Sequence, residues 1–191
     1  MPFQHNCSMI VLANAPVAQR IEQWPPEPCE EVRLFSGALF YEWSKNMHYH
    51  IYCNTKTMHS NHFLAIEEFK KRLSAYCETT LHTDTTLFFP KDITTHNHHF
   101  IYIKKGLSSY SSEQFSDCVN QLQLSGKSTI HVVIGFDEVI FYDALGHVTS
   151  YDTPLSLSLT NSNLSNETKT LLFYEQLYRG YTILQGKTYH K

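Results

Sequence analysis

The chain has 191 residues and a formal net charge of −3, a length that suits one domain of ordinary size, with or without a tail. Hydrophobic residues make up 42%, which favours a folded core over disorder. No apolar run approaches the roughly 20 residues needed to cross a bilayer, and the strong basic excess of a typical nucleic-acid-binding protein is missing. Five cysteines without CxxC spacing indicate reduced thiols and a cytoplasmic protein.

Residues 1–46 differ in character from the rest of the chain. The stretches VAQRIEQ (residues 17–23) and EVRL (residues 31–34) look like one reading frame of a transfer-RNA gene. We therefore expect translation to start at Met47, and we expect residues 1–46 to be a non-homologous extension that is disordered or spurious. A real but unfamiliar N-terminal extension is the alternative.

From Met47 onward the pattern becomes regular. Residues 48–53 alternate like a short strand. Apolar residues at helical spacing predict a helix over residues 60–76, with Ser60 or Asn61 as its N-cap and i,i+4 ion pairs on its surface. Residues 85–89 and 99–105 predict the second and third strands.

The second half of the chain predicts two more strands and two more helices. Ser111 and Gln114 have capping-box spacing at the start of a helix that ends near Leu124. The continuous apolar run over residues 128–135 predicts a strand buried on both faces. A strand over residues 155–160 and a long helix over residues 166–184, capped by Asn166, complete the pattern.

Strands that alternate with helices predict an α/β fold with a mostly parallel sheet flanked by helices. Ligands of such sheets bind beyond the carboxyl ends of the strands, so we expect the pocket around residues 102–106, Gly135 and residues 159–164. The sequence contains no GxGxxG, P-loop or GxSxG motif. The HNHH stretch at residues 96–99 suits solvated loop histidines better than a metal site, so no metal is expected; a His-rich metal-binding module is the weakest of the alternatives.

The end of the chain, YEQLYRGYTILQGKTYHK, closely resembles the C-terminus of the bacterial 23S rRNA pseudouridine N3-methyltransferases, the RlmH family of the SPOUT superfamily. MHYHIYCNTK and AIEEFKKRLSAY resemble the opening strand and first helix of that family, and VVIG resembles the strand before its cofactor loop. The resemblance covers residues 47–191 and implies a C-terminal trefoil knot, S-adenosylmethionine as cofactor, a homodimer with a composite active site, and large-subunit rRNA as the substrate, with no membrane partner.

Carried over by position, the resemblance implies roles for particular residues. Arg179, Tyr189 and His190 would be catalytic, with Arg179 holding a phosphate or a developing negative charge. Cofactor contacts would fall at Tyr102, Gly135, Leu159, Thr160, Asn161, Ser162, Asn163 and Leu164. We also expect a homodimer built largely from the first and last helices, in which the last helix exposes an aromatic surface: Phe173, Tyr174, Leu177, Tyr178 and Tyr181.

The chain departs from the family at the proposed site. The family usually has Gly-Gly where this sequence has Gly135-Phe136, Pro-His where it has Ser165-Asn166, and an arginine where it has Thr170. These departures keep an alternative open: a catalytically decayed, knotted dimer that binds RNA without methyl transfer. If the cofactor binds, the Phe136 ring must turn away from the pocket, because a ring inside it would take the volume of the adenosyl group.

Overall fold

The computed structural model describes residues 47–90, 93, 97–104, 106, 110–148 and 151–187. The described residues form five strands and four helices in an alternating order. The strands are β1 (His48–Asn54), β2 (Glu78–Asp84), β3 (His98–Ile103), β4 (Thr129–Ile134) and β5 (Leu155–Leu157), and the helices are α1 (Ser60–Leu73), α2 (Ser112–Leu124), α3 (Glu138–Leu145) and α4 (Asn166–Leu184).

The five strands form one sheet in the order β2-β1-β4-β3-β5. All four neighbouring pairs are parallel, which confirms the predicted α/β fold; the trefoil knot stays a prediction. β4 lies at the centre and is almost entirely buried, as its apolar run predicts. Parallel strands need crossover connections, and in this chain helices supply most of them.

Two apolar clusters fill the two faces of the sheet. On the first face, alternate residues of β1, β3 and β4 pack against α1, α2 and α4. On the second face, the other residues of β3 and β4 pack against α3 and against Leu87, Phe89 and Ile93. The connection that leaves each of four strands leads to one of these two faces. The connections after β1, β3 and β5 lead to helices of the first face, and the connection after β4 leads to α3 on the second.

The last helix packs its aromatic residues inward. Phe173, Tyr174, Leu177 and Tyr181 are buried in the first cluster, and Tyr178 is partly buried. The expectation that these residues form an exposed interface is therefore wrong for the buried four, because the first sheet face needs this aromatic volume. The hydroxyl groups of Tyr181 and Tyr49 lie 3.2 Å apart, so the C-terminal part of α4 lies beside the start of β1.

Two predicted elements differ from the structure. The second strand is β2 and not residues 85–89, which lie outside any strand. Leu87 and Phe89 are nevertheless buried while Phe88 is exposed, so this apolar segment packs into the core without pairing in the sheet. The short helix α3 has no counterpart among the predicted elements, and β5 is shorter than predicted.

The helix boundaries agree with the predictions better than the caps do. α2 begins with the predicted capping box of Ser111 and Gln114. However, His59 caps α1 in place of Ser60 or Asn61, and Ser165 caps α4 in place of Asn166. On α1, Arg72 pairs with Glu68 at i,i+4 as expected, whereas Lys70 pairs with Glu67 at i,i+3.

Among the described residues, the second sheet face carries five neighbouring histidines, which we call the imidazole row: His48, His50, His82, His98 and His131. Neighbouring rings lie 4.1 to 5.4 Å apart between centroids. Burial, followed by the nearby imidazoles, lowers the pKa of His131 to about 3 and that of His50 to about 4. His131 and His50 are therefore uncharged at neutral pH.

Candidate functional site at the carboxyl edge of the sheet

The expected pocket residues gather at one edge of the sheet. β3, β4 and β5 run parallel, so their carboxyl ends meet there. The backbone N–H of Lys104 donates to the carbonyl of Leu157 at 2.9 Å, and that of Tyr110 donates to the carbonyl of Ser158 at 3.1 Å. The loop after β5 leads from this edge into α4, whose first residue lies against Gly135. The structure thus brings together the ends of the three strands that the sequence indicates.

Gly135 ends the central strand in a conformation that favours glycine. Its φ is +79°, which costs a residue with a Cβ atom strain. A Cβ at this position would also collide with the side chain of Asn166. Both facts require glycine here, and they leave the backbone of the turn free of a side chain of its own.

Two asparagines, which we call the asparagine clamp, hold this turn. Asn54 Nδ2 donates to the carbonyl of Gly135 at 3.0 Å, and Asn166 Nδ2 donates to the carbonyl of Asn54 at 2.8 Å. The backbone pairing of β1 and β4 ends at Cys53 and Ile134. The clamp joins the next residue of each strand, where the backbone of the Gly135 turn leaves the sheet. Nothing in the sequence pattern indicates Asn54, and Asn166 is predicted only as a helix cap and a departure from the family.

Phe136 and Tyr102 belong to the core of the second face. Phe136 is buried in the cluster that includes Val133 and Phe141, so its ring is turned into the core as cofactor binding would require. The Tyr102 hydroxyl donates to the carbonyl of Phe136 at 2.9 Å, and its ring stacks on Phe141 at 4.9 Å. The Tyr102 side chain therefore fixes the turn after β4 from the second face of the sheet. The backbone of Tyr102 remains available to a ligand at the carboxyl edge.

The loop after β5 is held mainly by its own polar groups. Ser162 donates its backbone N–H to Thr160 Oγ1 at 3.0 Å, and the Ser158 hydroxyl donates to the carbonyl of Thr160 at 3.3 Å. Leu159 packs against the first cluster, and Leu164 is partly buried. The remaining predicted contacts in this loop are exposed: Asn161, Ser162 and Asn163.

Arg179, one of the predicted catalytic residues, does not join this edge within one chain. Arg179 follows Asn166 by 13 positions on α4, which places it about 20 Å along the helix. The contact between Tyr181 and Tyr49 puts that part of α4 near the start of β1, at the opposite edge of the sheet. Tyr189 and His190 lie outside the described residues.

A polar group missed by the sequence analysis joins the N-termini of α1 and α4. The backbone N–H of His59 donates to Glu167 Oε1 at 3.1 Å, and His62 Nδ1 lies 3.5 Å from Glu167 Oε2. His62 Nε2 also lies 3.2 Å from the Thr168 hydroxyl. These contacts fix the start of α4, and with it the position of Asn166.

Metal binding finds no support in the described residues: no group of three or more His, Cys, Asp or Glu among them could hold a metal ion. His98 and His131 contact each other through their ring nitrogens at 3.0 Å, and His50 contacts His82 at 3.2 Å. In the same ranges, every helix is too short or too polar to cross a membrane.

Comparison with known proteins identifies a matching family model and several relatives. The family model "Predicted SPOUT methyltransferase" matches residues 47–190. Ribosomal RNA large subunit methyltransferase H 1 of Thermoanaerobacter sp. (strain X514) is 28% identical over 148 residues, covering 76% of this chain and 100% of its own. Ribosomal RNA large subunit methyltransferase H of Clostridium botulinum (strain Loch Maree / Type A3) is 28% identical over 146 residues, covering 66% and 89%.

The family-model match begins at Met47, the residue at which the regular pattern of the sequence begins. The matched range contains all five parallel strands and all four described helices. The matches confirm the resemblance seen in the C-terminal motif and in β1 and β4. The chain belongs to the SPOUT methyltransferase family and is a methyltransferase, and it is similar to the ribosomal RNA large subunit methyltransferase H proteins.

Proposed function

We propose that the protein transfers a methyl group from S-adenosylmethionine to N3 of a pseudouridine in 23S rRNA of the large ribosomal subunit, in the cytoplasm. The observation that carries the proposal is the edge of the sheet where the Gly135 turn, the end of β3 and the loop of residues 159–164 meet. The names of the relatives, which refer to large-subunit rRNA, support the substrate.

The described residues fit such a cofactor. Gly135 presents backbone without a side chain, and the ring of Phe136 is packed into the core, so neither residue fills the space beyond the edge. The exposed residues 161–163 supply backbone and side-chain hydrogen-bonding groups on the other side. When bound, the cofactor supplies a methyl group on a sulfonium, and the main task of the protein is to orient it toward the nucleophile.

The second substrate needs groups that act on the uracil ring. N3 must lose its proton, and a base or a donor to the neighbouring carbonyls assists that loss. We assign these roles to Tyr189 and His190, and contact with the RNA backbone to Arg179. The net charge of −3 means that RNA binding rests on such local contacts and not on a strong overall field.

The position of Arg179 means that the proposed function also requires a homodimer. Because α4 carries Arg179 about 20 Å from the Gly135 edge, one chain does not assemble the whole site. A homodimer in which the last helix of one subunit approaches the Gly135 edge of the other would complete it. Light scattering of the full chain at micromolar concentration should give a dimer, and a stable monomer would contradict the composite site.

Two measurements test the function. Calorimetric titration of the full chain with S-adenosylmethionine should show saturable binding, and labelled methyl groups should then pass to large subunits whose pseudouridine lacks the modification. Absence of cofactor binding would refute the proposal. Binding of RNA without cofactor binding or transfer would instead support the decayed, knotted RNA-binding protein.

A further inference from the structure

The arrangement of connections around β4 defines two crevices at the carboxyl edge of the sheet. The connection after β4 leads to the second face, whereas those after its neighbours β1 and β3 lead to the first. In open α/β sheets, ligands bind where adjacent connections diverge to opposite faces. By this rule both the β1–β4 crevice and the β4–β3 crevice could accept a ligand.

The asparagine clamp fills the first of these crevices. Asn54 extends from the end of β1 and holds the Gly135 carbonyl, and the side chain of Asn166 occupies the space that a Cβ atom at Gly135 would take. Asn166 also donates to Asn54, so both amides are engaged with protein groups. Between β4 and β3, the Tyr102 hydroxyl supports the turn from the second face by its bond to the carbonyl of Phe136.

We propose that Asn54 and Asn166 are positioning residues that close the β1–β4 crevice, hold the Gly135 turn in its positive-φ conformation and thereby confine the cofactor to the β4–β3 side. The clamp acts through the backbone of Gly135 and does not itself touch the cofactor. This inference rests on the proposed function for the identity of the ligand, whereas the closure of the crevice and the rigidity of the turn can be measured without it.

The test uses isosteric changes that remove only the donor. Asn54→Asp and Asn166→Asp keep the side-chain volume but replace each Nδ2 donor with an acceptor facing a carbonyl. Loss of one such bond should speed amide hydrogen exchange at residues 135–137 of the full chain about fivefold to tenfold. It should also weaken S-adenosylmethionine binding by a similar factor, because the turn must then be ordered on binding.

The sign of the Asn166→Asp effect separates positioning from an ordinary helix-end role. Asn166 is the first residue of α4, and an acidic residue there favours the helix through its dipole. A helix-end role therefore predicts unchanged or slower exchange at residues 135–137, and positioning predicts faster exchange. Gln114→Ala, which removes half of the capping box on α2, is the matched control that should lower stability without changing exchange in this turn.

The possible outcomes test the clamp and the proposed function separately. Unchanged exchange at residues 135–137 in both aspartate variants would overturn the clamp, whether or not the cofactor binds. Faster exchange with unchanged cofactor affinity would also overturn it, since the turn would then be held without positioning anything. If the wild-type chain does not bind S-adenosylmethionine, the proposed function fails, and the exchange rates alone judge whether the clamp holds the turn.

Discussion

The imidazole row predicts that acid destabilises the fold well before the carboxyl groups protonate. His131 is buried at the centre of the row, where burial and then the neighbouring imidazoles lower its pKa to about 3. Its ring nitrogens contact Tyr52 and His98 at 3.3 and 3.0 Å. In the unfolded chain, the pKa of His131 returns to an ordinary value of about 6.5. Below that pH, the unfolded state binds a proton at His131 that the folded state does not bind.

The sign and size of the effect follow from this difference. The stabilisation from a neutral His131 is fully present above pH 6.5 and is lost as the pH falls from 6.5 toward 3. At about 1.4 kcal/mol per pH unit, lowering the pH from 7.5 to 4 should reduce the free energy of unfolding by about 3 kcal/mol through this residue alone. That is a large part of the stability of a typical domain, which is about 5–15 kcal/mol.

The assay is urea unfolding of the full chain, followed by circular dichroism, at a series of pH values from 7.5 to 4. His131→Gln keeps hydrogen-bonding groups but cannot titrate, so its stability should fall by about 3 kcal/mol less over this range. His147→Gln changes an exposed histidine outside the row and should follow the wild type. Equal pH dependence in the wild type and the His131→Gln variant would refute the assignment of acid sensitivity to this residue.

Three further predictions concern the turn after β4 and the domain boundary. Gly135→Ala should cost more than 2 kcal/mol of stability, because strain at positive φ adds to a collision with Asn166, whereas Gly126→Ala, at a similar φ in open space, should cost only about 1–2 kcal/mol in thermal or urea unfolding. Phe136→Ala should cost about 3–5 kcal/mol and should not improve cofactor binding, since the ring lies in the core; a calorimetric gain in affinity would contradict its placement. Removal of residues 1–46 should leave the melting temperature nearly unchanged, and a large drop would show that they belong to the fold.

Local signals in the sequence were enough to predict the elements that define the sheet's centre. The apolar run of β4 is buried on both faces, and Ser111 and Gln114 form the capping box that their spacing predicts. Both features depend on residues close in the chain. The same holds for α4, whose length and apolar spacing predicted its bounds, although not the face that it buries.

The missed elements depend on contacts distant in the chain. β2 is rich in threonine and none of its residues is fully buried, so its strand is recognised by its pairing with β1 and not by a hydrophobic pattern. α3 has only eight residues, and its exposed Val139 and Tyr142 obscure an amphipathic period. The contact between Asn54 and Asn166 joins residues 112 positions apart, which no local pattern predicts.

The course of the chain after β4 explains why this chain has Phe136 at the position of the second glycine of the family. The connection after β4 leads to α3 on the second face, so the residue that follows Gly135 points into the cluster of Val133, Phe141 and Leu145. A large apolar side chain stabilises that cluster by burial, and the backbone carbonyl of Phe136 is fixed by Tyr102. Gly135 supplies a positive φ at the start of the turn. A second glycine is therefore not needed for the turn in this chain, and Phe136 is compatible with a ligand at the same edge.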